Sequence, residues 1–176
     1  MKKSTNNKDV PGRRQPGVHA TPTSIAGTNG PIRDWLPALG LGRASRPGSD
    51  SGAANLGPAV DRWVKTVRAH GIRSVICLLS QEELDRYAHL PGGLLGRYEQ
   101  LGLEARSIPV PADRTPVLTG EDRRALVEFY KDLPKPVLVH CSAGIYRSGA
   151  AVRYLKSLLA DSVLAGNLPA GAAMPE

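Results

Sequence analysis

The chain is short of aromatic rings, of cysteine and of long apolar runs, and each shortage removes a class of protein. Aromatics make up 5% of the 176 residues, with a single phenylalanine, and they do not interleave with the basic residues as a surface that stacks nucleic-acid bases requires. Two cysteines cannot build a disulfide framework, so a reducing compartment is the default. No stretch approaches the roughly 18 consecutive apolar residues that cross a bilayer. The N-terminus has lysines but no apolar segment behind them, so it does not read as a secretory signal, and Arg13-Arg14 lacks the hydrophobic stretch of an export signal. The expected location is cytoplasmic.

What the chain does have is 41% hydrophobic residues, enough for one core in one domain, and a formal charge of +7 placed unevenly. The first fifty residues hold eight Lys or Arg against three acids, and the remainder holds fifteen against thirteen. Residues 1–30, rich in Lys, Asn, Thr, Pro and Gly without helical or strand period, read as a disordered basic tail. Such an arm reads first as a solvated segment; contact with nucleic acid or another acidic partner is the second reading. Residues 31–160 read as the folded domain, and 161–176, rich in Ala, Gly and Pro, as a short flexible tail.

Inside the domain the apolar period switches repeatedly between two and three to four residues. Trp35 to Gly42 alternates apolar residues with Gly and Pro, as a first strand or hairpin does, and 43–58 reads as a loop. Val60, Trp63, Val64 and Val67 recur at helical spacing up to Gly71. Ile72 to Leu79 is a mostly apolar strand of the kind covered on both faces. Ser80 caps a short helix from Gln81, Leu94 to Leu101 makes helical turns closed by Gly102, and Glu104 to Val110 is another strand. Thr119-Gly120-Glu121-Asp122 resembles a capping box with Asp in place of the usual Glu, followed by Leu126, Phe129, Tyr130 and Leu133 at helical spacing. The predicted fold is α/β, with a central, mostly parallel sheet flanked by helices.

One stretch carries chemistry. His140 to Gly149 reads HCSAGIYRSG, with the apolar Val137-Leu138-Val139 before it and the periodic segment Ala150 to Leu159 after it. Strand, tight loop and helix in that order leave unpaired N–H groups and the positive end of a helix dipole at the loop, a setting that binds anions. The same field stabilises a thiolate, which makes Cys141 a candidate nucleophile. Arg147 adds a planar, two-pronged donor matched to phosphoryl oxygens. In open parallel sheets ligands bind beyond the carboxyl ends of the strands, where this loop falls.

Cys141, five intervening residues and Arg147, with His140 before, Gly144 inside and Ser148 after, resemble the signature loop of the cysteine-dependent protein tyrosine phosphatases. The short chain is similar to their dual-specificity branch. Upstream, Gly71-Ile72, Glu83-Leu84, Tyr87, Tyr98, Gly102, Pro109 and Thr115-Pro116 extend the likeness to phosphatases of the cyclin-dependent-kinase-associated type. The resemblance implies a phosphoprotein phosphatase hydrolysing phosphotyrosine, with or without phosphoserine and phosphothreonine, through a cysteinyl-phosphate intermediate and without a metal or other cofactor. It makes Cys141 the nucleophile. Arg147 and the N–H groups of the phosphate-binding loop, Ser142, Ala143, Gly144, Ile145, Tyr146, Arg147 and Ser148, hold the equatorial oxygens. Ser148 would hydrogen-bond the thiolate, although a plain helix cap explains a serine there equally well.

A poor leaving group needs a proton, worth 10²–10⁴-fold when it comes from a positioned acid. Asp113 is the only carboxylate on the loop from Pro109 to Pro116 and matches the family's general acid by position, with Ala112 between it and Pro111 as a departure in register. A solvent-facing turn aspartate beside Arg114 is the competing reading. His140 is expected to order the loop, and no other histidine lies at ligand spacing, so no metal site is expected. Tyr146 points either to the pocket rim, where it would stack on an aryl substrate, or beneath it. Cys77 reads as a small buried hydrophobe, or as a disulfide partner that shields Cys141 from overoxidation.

The loop carries no basic residue at Ser142, Ala143, Ile145 or Tyr146, which disfavours polyphosphorylated lipid headgroups as substrates. Two alternatives to a phosphoprotein substrate stand: an RNA 5′-triphosphatase of the same fold, supported by the basic arm, and a catalytically weak phosphate-binding module. Phosphatases of this fold continue past the post-loop helix with further helices, whereas this chain has only Val163, Leu164 and Leu168 to bury there. Shortened C-terminal helices predict an uncovered apolar face and a dimer or partner upon it.

Overall fold

Val137–Cys141 is buried at every position, and the sheet is assembled around it. A computed structural model describes residues 30–49 and 56–164, with side chains through residue 160. The predicted tail up to residue 29, the stretch 50–55 and the chain beyond Leu164 lie outside the described residues. In chain order the elements are β1 Ile32–Leu36, β2 Leu41–Ser45, α1 Leu56–Ala69, β3 Ser74–Cys77, α2 Gln81–Asp85, α3 Gly93–Gln100, β4 Glu104–Ser107, α4 Gly120–Asp132, β5 Val137–Cys141 and α5 Tyr146–Leu164. The five strands lie in the order β1-β2-β5-β3-β4. β1 is antiparallel to β2, and the other pairings are parallel. This is the predicted α/β architecture, with β5 in the middle and its carboxyl end opening onto the HCSAGIYRSG loop.

Side-chain alternation divides the core in two. Leu138 of β5 and Val75 and Cys77 of β3 point to one face, beneath α1 and α3, and pack with Val60, Trp63, Val64, Val67, Leu94 and Tyr98. Val137, Val139 and Cys141 point to the other, beneath α4 and α5, with Ile76, Leu126 and Leu155. Truncating Leu126 or Leu155, both essentially fully buried, would cost ~2–5 kcal/mol each. Cys77 and Cys141 therefore sit on opposite faces, each a free thiol, and a disulfide between them would have to pass through the sheet. Of the two readings of Cys77, the packing shows the core hydrophobe.

Local signals set the ends of the helices. Gly71, at φ +78°, ends α1: its N–H donates to Arg68 O at 2.8 Å and that of Ile72 to Val67 O at 3.2 Å, a left-handed helix stop that glycine adopts without steric cost. Both α2 and α4 begin with capping boxes. Ser80 Oγ accepts from Glu83 N at 3.2 Å while Glu83 Oε2 accepts from Ser80 N at 2.8 Å. Thr119 and Asp122 repeat the exchange at 3.2 and 2.7 Å, so the shorter Asp does serve.

Several boundaries differ from the sequence expectation: β1 begins at Ile32 rather than Trp35, β3 spans Ser74–Cys77 rather than Ile72 to Leu79, β4 ends at Ser107 rather than Val110, and three further segments change state or extend. Residues 43–45, read as the start of a loop rich in Gly, Ser, Ala and Pro, belong to β2. Their neighbour Gly42 is the position that must be small: a Cβ there would come within 2.7 Å of the Trp35 ring. Leu56 to Pro58 form the first turn of α1 rather than a loop. Helix α5 starts inside the motif at Tyr146, its first turn closed by Gly149 N donating to Ile145 O at 3.0 Å, and it runs past the expected Leu159 to Leu164.

Candidate active site

The loop between β5 and α5 is pressed against the end of β2. Gly144 has φ +74°, and a Cβ there would lie 2.5–2.6 Å from the backbone of Ala44 and Ser45, so only glycine fits. Arg46 N donates to Ser142 O at 3.0 Å, and Arg43 Nη1 reaches Gly144 O and Ile145 O at 3.3 Å. One segment distant in sequence, Arg43 to Arg46, thus fixes the loop before α5 begins.

Cys141 lies at the base of this loop, 2% exposed. Burial alone would raise its thiol pKa. The Ser148 hydroxyl, 3.3 Å from Sγ, and the backbone N–H groups of Ser148, Gly144 and Ile145 overcome that and hold it below the usual thiol range. Cys77, buried without that cradle, has its thiol pushed up to about 12. The two thiols are thus shifted in opposite directions, and Cys141 is the one whose surroundings favour the thiolate.

Arg147 is equally constrained. Its Nη1 lies within hydrogen-bond distance of Leu78 O at 3.0 Å, Val110 O at 2.9 Å and Glu83 Oε2 at 2.5 Å, and Nη2 donates to Glu83 Oε1 at 2.8 Å. The pair is two-pronged, and its remaining donors, Nε–H and one Nη2–H, have no partner among the described residues. They remain available to an acceptor. Burial works to raise the Glu83 carboxyl, but the hydrogen bonds from Arg147 and the Ser80 N–H, with help from the Arg147 charge and the Ser142 hydroxyl, bring it to about 2. Glu83 is therefore a fixed anion at neutral pH and cannot serve as a proton donor.

Asp113 is exposed and makes no hydrogen bond or ion pair with any described residue. Its loop is held on both sides. Arg147 grips Val110 O, while Arg114 pairs with Asp122, the capping residue of α4, and donates to Val117 O at 3.1 Å. Pro111 to Asp113 line a groove of about 880 Å³ opposite Ser80 to Glu83 and Arg86, next to the Glu83–Arg147 pair.

His140 points away from the loop, into the α1 and α3 side. Its Nε2 is 3.1 Å from Tyr98 Oη, its ring meets Trp63 and Tyr98 edge-on, and burial pushes its pKa down to about 4, so it is neutral at physiological pH. Ile145 and Tyr146 are the exposed large hydrophobic residues among those described, 51% and 79% accessible. Of its two placements, Tyr146 takes the outward one. Among the described residues no cluster of three His, Cys, Asp or Glu side chains has the arrangement to hold a metal ion, and no helix is long and apolar enough to cross a membrane.

Two residues that the sequence reading did not assign to the site complete the surroundings. Glu83 could have been found, because Ser80-x-x-Glu83 spells a capping box and so fixes where its carboxylate must sit. Arg46 carries no such signal. It is 7% exposed, donates from Nε to Ser142 Oγ at 3.2 Å and from Nη1 to Tyr87 Oη at 2.8 Å, and looked like part of a polar loop.

A parallel sheet whose central strand delivers a cysteine loop onto a helix N-terminus is the fold of the cysteine-dependent tyrosine and dual-specificity phosphatases, and the chain has that fold. Two solved structures make the likeness specific. Kinase-associated phosphatase, with its catalytic-site cysteine replaced by serine, is 21% identical over 85% of this chain and 90% of its own, at a TM-score of 0.54. A candidate phosphatase of the DUF442 group from Shewanella putrefaciens CN-32 is 22% identical over 76% of this chain and 71% of its own, also at 0.54. No protein-family model matches the sequence, and no curated protein does.

Proposed function

We propose that the chain is a phosphatase that hydrolyses phosphotyrosine in proteins through a cysteinyl-phosphate intermediate. The observation that carries this reading is the convergence of the Ser148 hydroxyl and three loop N–H groups on Cys141 Sγ, with a guanidinium held beside them by Glu83. Cys141 attacks phosphorus in line as the bond to the tyrosine oxygen breaks. That oxygen takes its proton from Asp113, the only carboxylic acid on the loop gripped by Arg147 at Val110. The resulting carboxylate then takes a proton from water, whose oxygen attacks phosphorus, breaks the S–P bond and returns the thiolate that Ser148 stabilises. Arg147 and the loop N–H groups hold the equatorial oxygens in both steps.

Phosphotyrosine is favoured over an aliphatic phosphoester by the rim. Ile145 and Tyr146 present exposed apolar surface at the mouth, where an aryl ring would stack, and the loop itself offers no lysine or further arginine to a polyphosphorylated headgroup. The test is hydrolysis of p-nitrophenyl phosphate and of a phosphotyrosyl peptide, insensitive to EDTA and abolished by Cys141→Ser. Binding of the phosphopeptide without turnover by the unmodified protein would overturn the enzymatic reading in favour of a binding module.

A further inference from the structure

On the phosphatase reading, the formal charges at the buried centre do not balance with the residues assigned so far. Arg147 is matched by Glu83 at two hydrogen bonds, so the pair is neutral as a unit. The Cys141 thiolate adds a negative charge, and a phosphoryl dianion arriving beside it adds two more. The loop N–H groups and the α5 N-terminus answer with dipoles, equivalent to roughly half a charge at the helix end. Repulsion between thiolate and dianion is the largest uncompensated interaction there.

Arg46 is a cation with the complementary imbalance. It leaves the end of β2 directly into the site, with its backbone N–H on Ser142 O and its Nε on Ser142 Oγ, one residue from the nucleophile. Its Nη1 donates to Tyr87 Oη, which in turn donates to Pro47 O at 2.7 Å. Every one of these partners is uncharged, and no carboxylate among the described residues forms an ion pair with it. A guanidinium more than nine-tenths buried and solvated only by neutral groups is unfavourable unless a counter-charge is supplied. Arg43, by contrast, is partly exposed and has Asp34 at 3.5 Å.

We propose that Arg46 is a second cation of the phosphate site, locked to Ser142 and Tyr87, whose counter-charge is the phosphoryl dianion bound in the loop. It acts by position and charge rather than by proton transfer, so it strengthens ground state and transition state together. The signature of uniform binding is a rise in KM at nearly constant kcat when the charge is lost.

The experiment measures the inhibition constant for inorganic phosphate, and KM and kcat for p-nitrophenyl phosphate, in the unmodified protein and in Arg46→Met, Arg46→Lys and Tyr87→Phe, with melting temperatures alongside. Arg46→Met is expected to raise the phosphate constant and KM at least tenfold with kcat changed less than about threefold. Arg46→Lys should recover most of that loss. Tyr87→Phe, which removes the anchor but keeps the charge, should lower the melting temperature and leave phosphate affinity near that of the unmodified protein. Equal losses in Met and Lys, or a loss in Tyr87→Phe as large as in Arg46→Met, would make Arg46 a structural residue and overturn the proposal while leaving the phosphatase reading intact. If the unmodified protein neither binds phosphate nor hydrolyses the ester, both fall. Should Arg46→Met fail to fold, Lys against Tyr87→Phe still separates charge from anchoring.

Discussion

Replacing Glu83 with glutamine removes a charge from a side chain 18% exposed that takes two hydrogen bonds from Arg147 and one from the Ser80 N–H. Its carboxyl lies at about 2 in the folded state against an ordinary 4.5, and each pH unit is worth about 1.4 kcal/mol of preference for the charged form. Because the folded value is the lower one, the stabilisation is complete above the unfolded pKa and drains away as pH falls through the folded one. Linkage gives about 3 kcal/mol at pH 7, about half of that at pH 3 and almost none at pH 2. Glutamine offers one acceptor and turns an amide donor toward the guanidinium, so most of this term is expected to appear as the difference between the two proteins. Urea unfolding followed by tryptophan fluorescence at pH 7, 5, 4 and 3 reads it directly. A difference that stays constant down to pH 3, or one below about 1 kcal/mol at pH 7 as for an exposed pair, would refute the assignment of Glu83 as the fixed partner of Arg147. Turnover should fall as well, on the order of 10²-fold, because the guanidinium loses the two-pronged contact that aims it.

Three other changes probe separate parts of the site. Asp113→Asn should slow phosphotyrosyl peptides on the order of 10²–10³-fold and activated aryl phosphates far less; equal losses on both would argue against the acid role. Ser148→Ala removes the hydroxyl 3.3 Å from Sγ, so the pH profile of Cys141 alkylation by iodoacetate should move to higher pH and the phosphoenzyme should accumulate as a burst. An unmoved profile would reduce Ser148 to a helix cap. Gly144→Ala forces a side chain at φ +74° into the Ala44 backbone 2.5 Å away and should cost about 2–4 kcal/mol together with phosphate binding, measured by chemical denaturation and inhibition constants.

The parts of the molecule legible in the sequence are those set by short-range patterns. The three-to-four-residue recurrence of Val60, Trp63, Val64 and Val67 marked α1 because those side chains share one face, and all four are buried together. Thr119 and Asp122 marked the start of α4 because a capping box is closed within four residues. The β5-loop-α5 unit was legible for the same reason. What stayed hidden was decided by partners far along the chain. Arg43 to Ser45 looked like loop because they open a stretch rich in Gly, Ser, Ala and Pro, and their strand state is set by pairing with Val139 to Cys141 of β5. The burial of Arg46 beside the loop depends on Ser142, 96 positions away, and no local pattern encodes that.

Arg147 shows how the long-range parts are joined. Helix α2 has five residues, too few to hold itself in water, and its capping carboxylate is the one that grips Arg147. The same guanidinium bonds Leu78 O at the end of β3 and Val110 O at the start of the Asp113 loop. Fraying of α2 would therefore release the Arg147 guanidinium and one anchor of the Asp113 loop at once. The other anchor, Arg114 on Asp122, belongs to α4 and would stay. Between the two anchors only Pro111, Ala112 and Asp113 are free to move, and two of these three have side chains too small or too rigid to add rotamer freedom. On the proposed mechanism, delivery of a proton to the leaving oxygen would thereby be reduced to the motion of a three-residue span whose inner end is fixed by the same guanidinium that would hold the phosphate.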